Sequence, residues 1–256
     1  MEHLKKHLEQ SEIISQSELA ENIFLLTLHS PLIIEKAAPG QFVMVYLDRG
    51  ELLLPRPISI CWVDKACSAM QLLYQVVGAG TKHLSQLQKG GHVKIVGPLG
   101  NGFKINNTPG KVALIGGGVG TPTMLMLLQH LPGVSADVYL GFRSQPVLVD
   151  NFQNLTHNVY IATEDGSHGF KGRVTDILID KSELYNEIYA CGPRPMLKQA
   201  AEYAKAMNIP CQVCMEERMA CGLGTCVGCA IKTKNGYQKV CVDGPVFYGD
   251  MVDWNE

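Results

Sequence analysis

Four cysteines near the C-terminus constrain this chain more than any other feature. Cys221, Cys226, Cys229 and Cys241 read C-x4-C-x2-C, with eleven residues before the last. This is the plant-type [2Fe-2S] spacing, in which three thiolates converge from one tight loop and the fourth arrives from a neighbouring strand. Gly222, Gly224 and Gly228 suit that loop, because glycine reaches positive φ and lets backbone N–H groups approach sulfur. A short Lys-rich hairpin then carries the chain to Cys241. The competing reading is zinc, since Cys211 and Cys214 form a C-x2-C of their own ahead of Cys226 and Cys229. The eleven-residue gap between those pairs is shorter than a zinc ribbon uses, and zinc would leave Cys221 and Cys241 without a role. Cys211 and Cys214 lie in the apolar run 209–215 and read as buried strand thiols.

A chain of 256 residues can hold two ordinary domains and a small appendage. Its 22 Lys and Arg are interspersed among 24 Asp and Glu, for a net charge of −2, so nothing marks a nucleic-acid surface or a polybasic membrane anchor. The start, MEHLKKHLEQSE, is charged and lacks the apolar stretch of a signal peptide, and no apolar run is long enough to span a membrane. The expectation is a soluble, cytoplasmic protein with neither nucleic acid nor membrane as partner. Nine cysteines cannot pair evenly, and a reducing compartment favours thiolate–metal chemistry over disulfides.

Residues 11–98 form short, β-rich segments broken by turns, among them GQFVMVYL, RPISICWV, AMQLLYQVVG and HVKIVGP, which predict a small antiparallel barrel. TKHLSQLQKG interrupts them as a helix, with Thr81 as its expected N-cap and Gly90 as its stop. Gly78, Gly80 and the first amides of that helix then favour an anion. Upstream, Arg56 stands between Pro55 and Pro57, which hold the backbone extended. A fixed guanidinium beside such a helix end suits a diphosphate. Taken alone, Arg56 reads equally as a solvated arginine on an edge strand.

After Gly110 the periodicity changes. KVALIGGGVGTPTMLMLLQHLP reads as a buried strand, a glycine turn and a helix, with Thr121 able to cap it and Pro122 in its first turn. ADVYLGF, NVYIAT and EIYAC follow as strands, alternating with helices near VLVDNFQNL, GRVTDILID and PRPMLKQAAEYAKAM. That alternation predicts a parallel sheet with its crevice at the strands' carboxyl ends, where residues 116–120 and the turn 190–193 would wall one nicotinamide nucleotide site. GGGVGT is not the full G-x-G-x-x-G, and Cys191 reads equally as a small buried residue closing an apolar strand.

Taken in order, Arg56-Pro57-Ile58-Ser59, Gly80-Thr81, GGGVGTP and YACGP resemble the ferredoxin–NADP reductase superfamily of flavoproteins. With CMEERMACGLGTCVGC and CVDGPVF, the chain is similar within it to the electron-transfer subunits of class B, NAD-dependent dihydroorotate dehydrogenases. The resemblance spans essentially the whole chain. It implies an α+β and α/β multidomain fold: an antiparallel FAD barrel over residues 1–103, a parallel NAD-binding α/β domain over 104–213, and a small [2Fe-2S] segment over 214–256. Carried over by position, Arg56 pairs with the FAD diphosphate, flanked by Pro57 and Ile58, and Ser59 lies near the flavin's reactive edge. Leu73, Tyr74 and Gln75 line the flavin or its ribityl chain, and Gly80 and Thr81 hold its phosphates. Gly117, Gly118 and Gly120 meet the nucleotide diphosphate, with Cys191 and Gly192 near the nicotinamide. Cys221, Cys226, Cys229 and Cys241 bind iron.

The resemblance further implies NAD as substrate and a separate FMN-containing dihydroorotate dehydrogenase catalytic subunit as partner, two of each in a heterotetramer. Electrons then run from dihydroorotate through FMN, cluster and FAD to NAD+ in pyrimidine biosynthesis, and no residue of this chain is a catalytic acid or base. Met219, Leu223, Val227, Val246, Phe247 and Tyr248 are expected to shelter the cluster at the partner face, or to pack beneath its loop. At the second strand end of the α/β domain Arg143 stands where an acid for the ribose 2′-hydroxyl is expected, so the residues alone leave NADP open. Within the same architecture the alternative is the small subunit of an NADH-dependent ferredoxin–NADP oxidoreductase, a sulfide dehydrogenase or a hydrogenase. Members of the first group tend to carry aspartate where this chain has Cys221. A non-redox zinc-binding interaction module is the alternative of a different class.

Overall fold

The computed structural model describes residues 6–47, 50–105 and 110–255, so the first five residues of the charged start lie outside it. Six strands, β1 (His7–Ala20), β2 (Ile23–His29), β3 (Phe42–Tyr46), β4 (Arg56–Asp64), β5 (Ala69–Gln75) and β6 (His92–Leu99), close an antiparallel barrel in the order β1-β2-β5-β4-β3-β6. Leu26 and Leu28 of β2, Val43 and Val45 of β3, and Ile58 and Ile60 of β4 are buried together inside the barrel, while Phe42, Met44 and Cys61 next to them are buried on its other side in cores shared with the rest of the chain. Two short helices interrupt the barrel, α1 (Pro31–Ile34) and α2 (Ala79–Leu84).

α2 departs from expectation. Its N-cap is Gly78, it ends at Leu84 rather than near Gly90, and Thr81 sits inside the first turn. From there the Thr81 hydroxyl accepts the N–H groups of Val77 and Gly78 at 2.9 and 3.3 Å. A threonine three residues into a helix can satisfy the same orphan donors by reaching back, which the one-dimensional pattern does not distinguish from a cap.

The second layer system comprises β7 (Lys111–Gly117), α3 (Thr121–Gln129), β8 (Ser135–Phe142), α4 (Val149–Gln153), β9 (Val159–Thr163), β10 (Phe170–Lys171), α5 (Val174–Lys181), β11 (Glu187–Cys191), α6 (Arg194–Ala206) and β12 (Cys211–Cys214). After β12 come the hairpin β13 (Ala230–Thr233) and β14 (Gly236–Lys239), then β15 (Val246–Tyr248). The sheet runs β10-β9-β8-β7-β11-β12-β15, all parallel except the last pair. The chain therefore winds outward from β7 in one direction and resumes at β11 on its other side. That reversal is a topological switch point, where α/β sheets bind ligands.

β7 is buried on both faces, as a central parallel strand must be. α3 is buried from Thr121 to Leu128 because it packs on the sheet and also on β4 of the barrel; its Met126 belongs to the barrel core. Gly120, not Thr121, is the N-cap of α3, and the Thr121 hydroxyl is buried with no hydrogen-bond partner among the described residues. β15 adds the end of the cysteine-rich segment to the α/β sheet, so β12 and β15 tie that segment to the core. The expected boundary between residues 213 and 214 falls inside β12.

Candidate functional site

β4 and β5 lie side by side, with Ile60 opposite Leu72, and together they form one wall of a cavity of about 330 Å3. Arg56, Pro57, Ile58 and Ser59 line it from β4, Leu73, Tyr74 and Gln75 from β5, and Thr81 from α2. The Arg56 guanidinium lies directly on Gly80: a methyl group there would stand 1.9 Å from Nε, so only glycine admits it. Arg56 also hydrogen-bonds the Leu54 carbonyl. The geometry thus gathers the barrel residues expected at the flavin around one space, except that Gly80 is buried beneath the Arg56 guanidinium and does not line it. That combination fits a diphosphate-bearing, flat aromatic cofactor.

The opposite wall was not anticipated from the sequence. It consists of Val119 from the glycine turn, Cys214, Met215, Glu216, Glu217 and Met219 from the segment after β12, and Pro245. Glu216 is exposed, but to the cavity; protein atoms crowd its carboxyl, and the resulting desolvation raises its pKa. The run MEER ahead of the first cluster cysteine was the available signal, but only the fold shows that it faces the barrel.

The two glycine turns meet at the switch point. Gly116 pairs with Cys191 in the register of β7 and β11, and a methyl group on Gly120 would stand 2.4 Å from the Cys191 carbonyl oxygen. Gly117, Gly120 and Gly192 thus pack together and are buried, and only Gly118 beside them has open space where a side chain would stand. Cys191 itself is fully buried behind Cys214, its partner across β11 and β12, and contact with that thiol followed by burial raises its pKa well above the usual range. Its side chain is therefore not available to a ligand.

A wider cavity of about 830 Å3 opens beyond the ends of β8 and β9, lined by Ser144, Asp150, Asp165, Ser167 and His168 together with Leu19 and Leu25 of the barrel. Arg143 is exposed, and its carbonyl accepts the Asp165 N–H at 3.2 Å. The loop after β9 therefore places a carboxylate beside the position where the strand β8 lacks one. Hydrogen bonds from Ser167 hold the Asp165 pKa below its ordinary value.

The four cluster cysteines fall into two dithiol pairs. Cys221 and Cys226 touch, Sγ to Sγ, at 3.3 Å, and Cys241 hydrogen-bonds Cys229. Two pairs suit a two-iron cluster, each iron taking two thiolates. Cys211 and Cys214 are buried on β12, and Cys214 Sγ lies 3.9 Å from the Gly40 carbonyl, so they belong to the sheet rather than to a zinc ribbon. Burial opposes ionisation of Cys221, but the amides of Cys226, Leu223 and Thr225 outweigh it and bring the thiol down to about 6. Burial pushes Cys241 up to about 12.

Gly222 takes φ +65° against the Met44 side chain of the barrel, 2.5 Å from where a methyl would be, which fastens the loop to β3. Gly228, expected to share that conformation, does not. Beside the pair Cys221 and Cys226, Leu223 and Val227 are exposed, and Val227 shows 72% of its surface. Val246 and Phe247 instead pack as β15, and Met219 faces the first cavity.

Comparison with known proteins agrees with this geometry. Residues 216–253 match a family model described as the iron-sulfur cluster binding domain of dihydroorotate dehydrogenase B. The chain is 41% identical to the electron transfer subunit of dihydroorotate dehydrogenase B (NAD(+)) from Clostridium acetobutylicum, over 85% of this chain and 87% of that one. With the protein of the same name from Listeria innocua it is 42% identical over 95% and 98%. The solved structure of an NADH-dependent reduced ferredoxin-NADP oxidoreductase superposes with a TM-score of 0.88 at 31% identity, covering 96% of this chain and 91% of that one. A ferredoxin NADP+ reductase from Neisseria gonorrhoeae with bound FAD and NADP shares the fold alone, with a TM-score of 0.65 at 14% identity over 78% and 91%.

Proposed function

The chain belongs to the family of dihydroorotate dehydrogenase B electron transfer subunits, and on that premise we propose that it relays electrons between a dihydroorotate-oxidising catalytic subunit and NAD+. The observation that carries this reading is the path of the segment after β12. Cys214, Met215, Glu216, Glu217 and Met219 wall the barrel cavity, and Cys221 follows two residues after Met219. Two residues of extended chain span at most about 7 Å, so a flavin in the cavity and a cluster on the thiolates would be near neighbours.

A bound flavin would convert between the electron pair of a nicotinamide and the single electrons of a cluster. The residues do the rest. Arg56 would neutralise the FAD diphosphate over Gly80 and Thr81, Leu73, Tyr74 and Gln75 would hold the ring and ribityl chain, and Ser59 would face the reactive edge. The backbone of Gly117, Gly118, Gly120, Cys191 and Gly192 would receive the nicotinamide half of NAD(H). Asp165 would bond the ribose 2′-hydroxyl, in place of the acid absent near Arg143, and repel a 2′-phosphate. Cys221, Cys226, Cys229 and Cys241 would hold [2Fe-2S], with Leu223 and Val227 turned to the catalytic subunit.

We place FMN on that subunit, two copies of each chain in the complex, and the complex in the cytoplasm. Among the described residues no helix is long and apolar enough to cross a membrane. The division into residues 1–103, 104–213 and 214–256 remains the working assignment of FAD, NAD and cluster segments. The test is purification of the native complex: an FMN-bearing partner and dihydroorotate-dependent NAD+ reduction are expected. A colourless chain holding zinc would overturn the reading, and a ferredoxin-coupled partner would transfer it to the oxidoreductase that shares the fold.

A further inference from the structure

The two halves of the ligand set are joined by one side chain that this function has not used. Lys239 ends β14, two residues before Cys241 and opposite Ala230, which follows Cys229. Its backbone organises the turn carrying Cys241: its N–H donates to Asp243 Oδ2 at 2.7 Å, and its carbonyl accepts the N–H groups of Asp243 at 2.8 Å and Val242 at 3.1 Å. Its side chain reaches the other half, donating from Nζ to the Gly224 carbonyl at 2.6 Å.

The peptide that Lys239 grips is itself bonded to a ligand. The Gly224 carbonyl and the Thr225 N–H belong to one amide plane, and that N–H donates to Cys221 Sγ. An ammonium on the oxygen polarises the plane and strengthens the N–H on its far side. Lys239 is half-buried and forms no ion pair among the described residues. Among the described residues the only hydrogen-bond partner of this partly buried ammonium is the Gly224 carbonyl, and negative charge nearby favours such a cation; four thiolates around iron would supply it.

We propose that Lys239 positions the two dithiol pairs relative to each other and raises the reduction potential of the cluster they hold. The inference rests on the iron–sulfur reading above. Its physical basis is that a one-electron reduction adds a negative charge to the cluster, which a fixed cation and a strengthened N–H···S bond both favour.

The test is an EPR-monitored redox titration of the full chain with FAD bound, for the wild type, K239M and K239R, with iron and sulfide counted in each. K239M keeps the length of the side chain without its charge; its midpoint should fall, and K239R should remain near the wild type. Equal midpoints for wild type and K239M at full cluster occupancy overturn the proposal. Should K239M fail to hold a cluster, K239Q, which keeps a donor for Gly224, carries the same comparison. Loss of the cluster in K239M and K239Q with retention in K239R would reduce Lys239 to a clamp and overturn the tuning. A wild-type chain with no reducible two-iron signal would fault the iron–sulfur reading itself, not this step.

Discussion

The barrel cavity and the cluster loop lie two residues apart in the chain and are built on opposite principles. The cavity is walled by β4 and β5, whose register is fixed along the strands by ladder hydrogen bonds, and by α2 at its mouth. The segment 216–229 contains no strand or helix. It is held by Gly222 against Met44 and by Lys239 on Gly224, while the turn that carries Cys241 is held by Asn101, whose Nδ2 donates to the Val242 carbonyl at 2.8 Å. A site made by a sheet exists before its ligand. A site made by a loop with few backbone bonds draws much of its order from the metal it binds.

The sharpest way to break this contrast is to remove the cluster. Cys226→Ser, with FAD bound and the cluster shown to be absent, should abolish dihydroorotate-dependent NAD+ reduction in the complex while sparing NADH oxidation by a dye that accepts electrons from FAD. Hydrogen exchange should quicken across 216–245 and stay unchanged in the barrel strands. Normal coupled turnover would refute the relay, and loss of protection in β4 and β5 would show that the cavity is not independent of the loop.

The cavity side is tested next by Arg56→Ala. A charge-assisted hydrogen bond is worth about 1.5–3 kcal/mol, so FAD affinity should fall roughly 10- to 100-fold. Because the barrel does not depend on that bond, the melting temperature of the FAD-free protein should not change. Undiminished FAD affinity by fluorescence titration would remove Arg56 from the diphosphate.

A smaller effect is expected at the wider cavity. Asp165→Ala should raise KM for NADH by roughly 3- to 10-fold, the loss of about one good hydrogen bond, and lower the KM for NADPH, whose 2′-phosphate the carboxylate would repel. Arg143→Ala should leave NADH use unaltered. Selective damage to NADPH use by the Arg143 change would assign it to a 2′-phosphate instead.

Both the contrast and its limits could be read in part before folding. Short β-rich segments broken by turns announce the barrel, and the strand–glycine–helix run through Gly120 announces the sheet, because each pattern is a local consequence of backbone and side-chain geometry. The cluster spacing is legible for the same reason, three of its four ligands being near neighbours in sequence. What could not be read is what the register and crossovers bring together. Thr81 looked like a cap because a reach back from inside the helix leaves the same residues in the same order. Asp165 was missed because it follows a different strand from the one where such an acid is expected, and Glu216 because nothing local says which way the chain turns after β12.

Glu216 supplies the finest test of whether the cavity is preformed. Crowding by the cavity wall raises its pKa in the folded chain, so the folded state holds the proton more tightly than the unfolded state. The associated stability is complete in acid, below the ordinary glutamate value, and is lost as pH rises through the raised folded value. Glu216→Gln cannot ionise, so the FAD-free variant should melt above the wild type at neutral pH, with the difference closing as the pH is lowered into the acid range. The shift should be the smallest of these effects, since a single carboxyl is involved and it retains access to cavity water. Its pH dependence is the informative part. A difference that is constant with pH would mean the carboxyl meets bulk water in the absence of FAD. The wall formed by Cys214, Met215, Glu216, Glu217 and Met219 would then close only on the cofactor, and cavity and loop would share one dependence on their ligands.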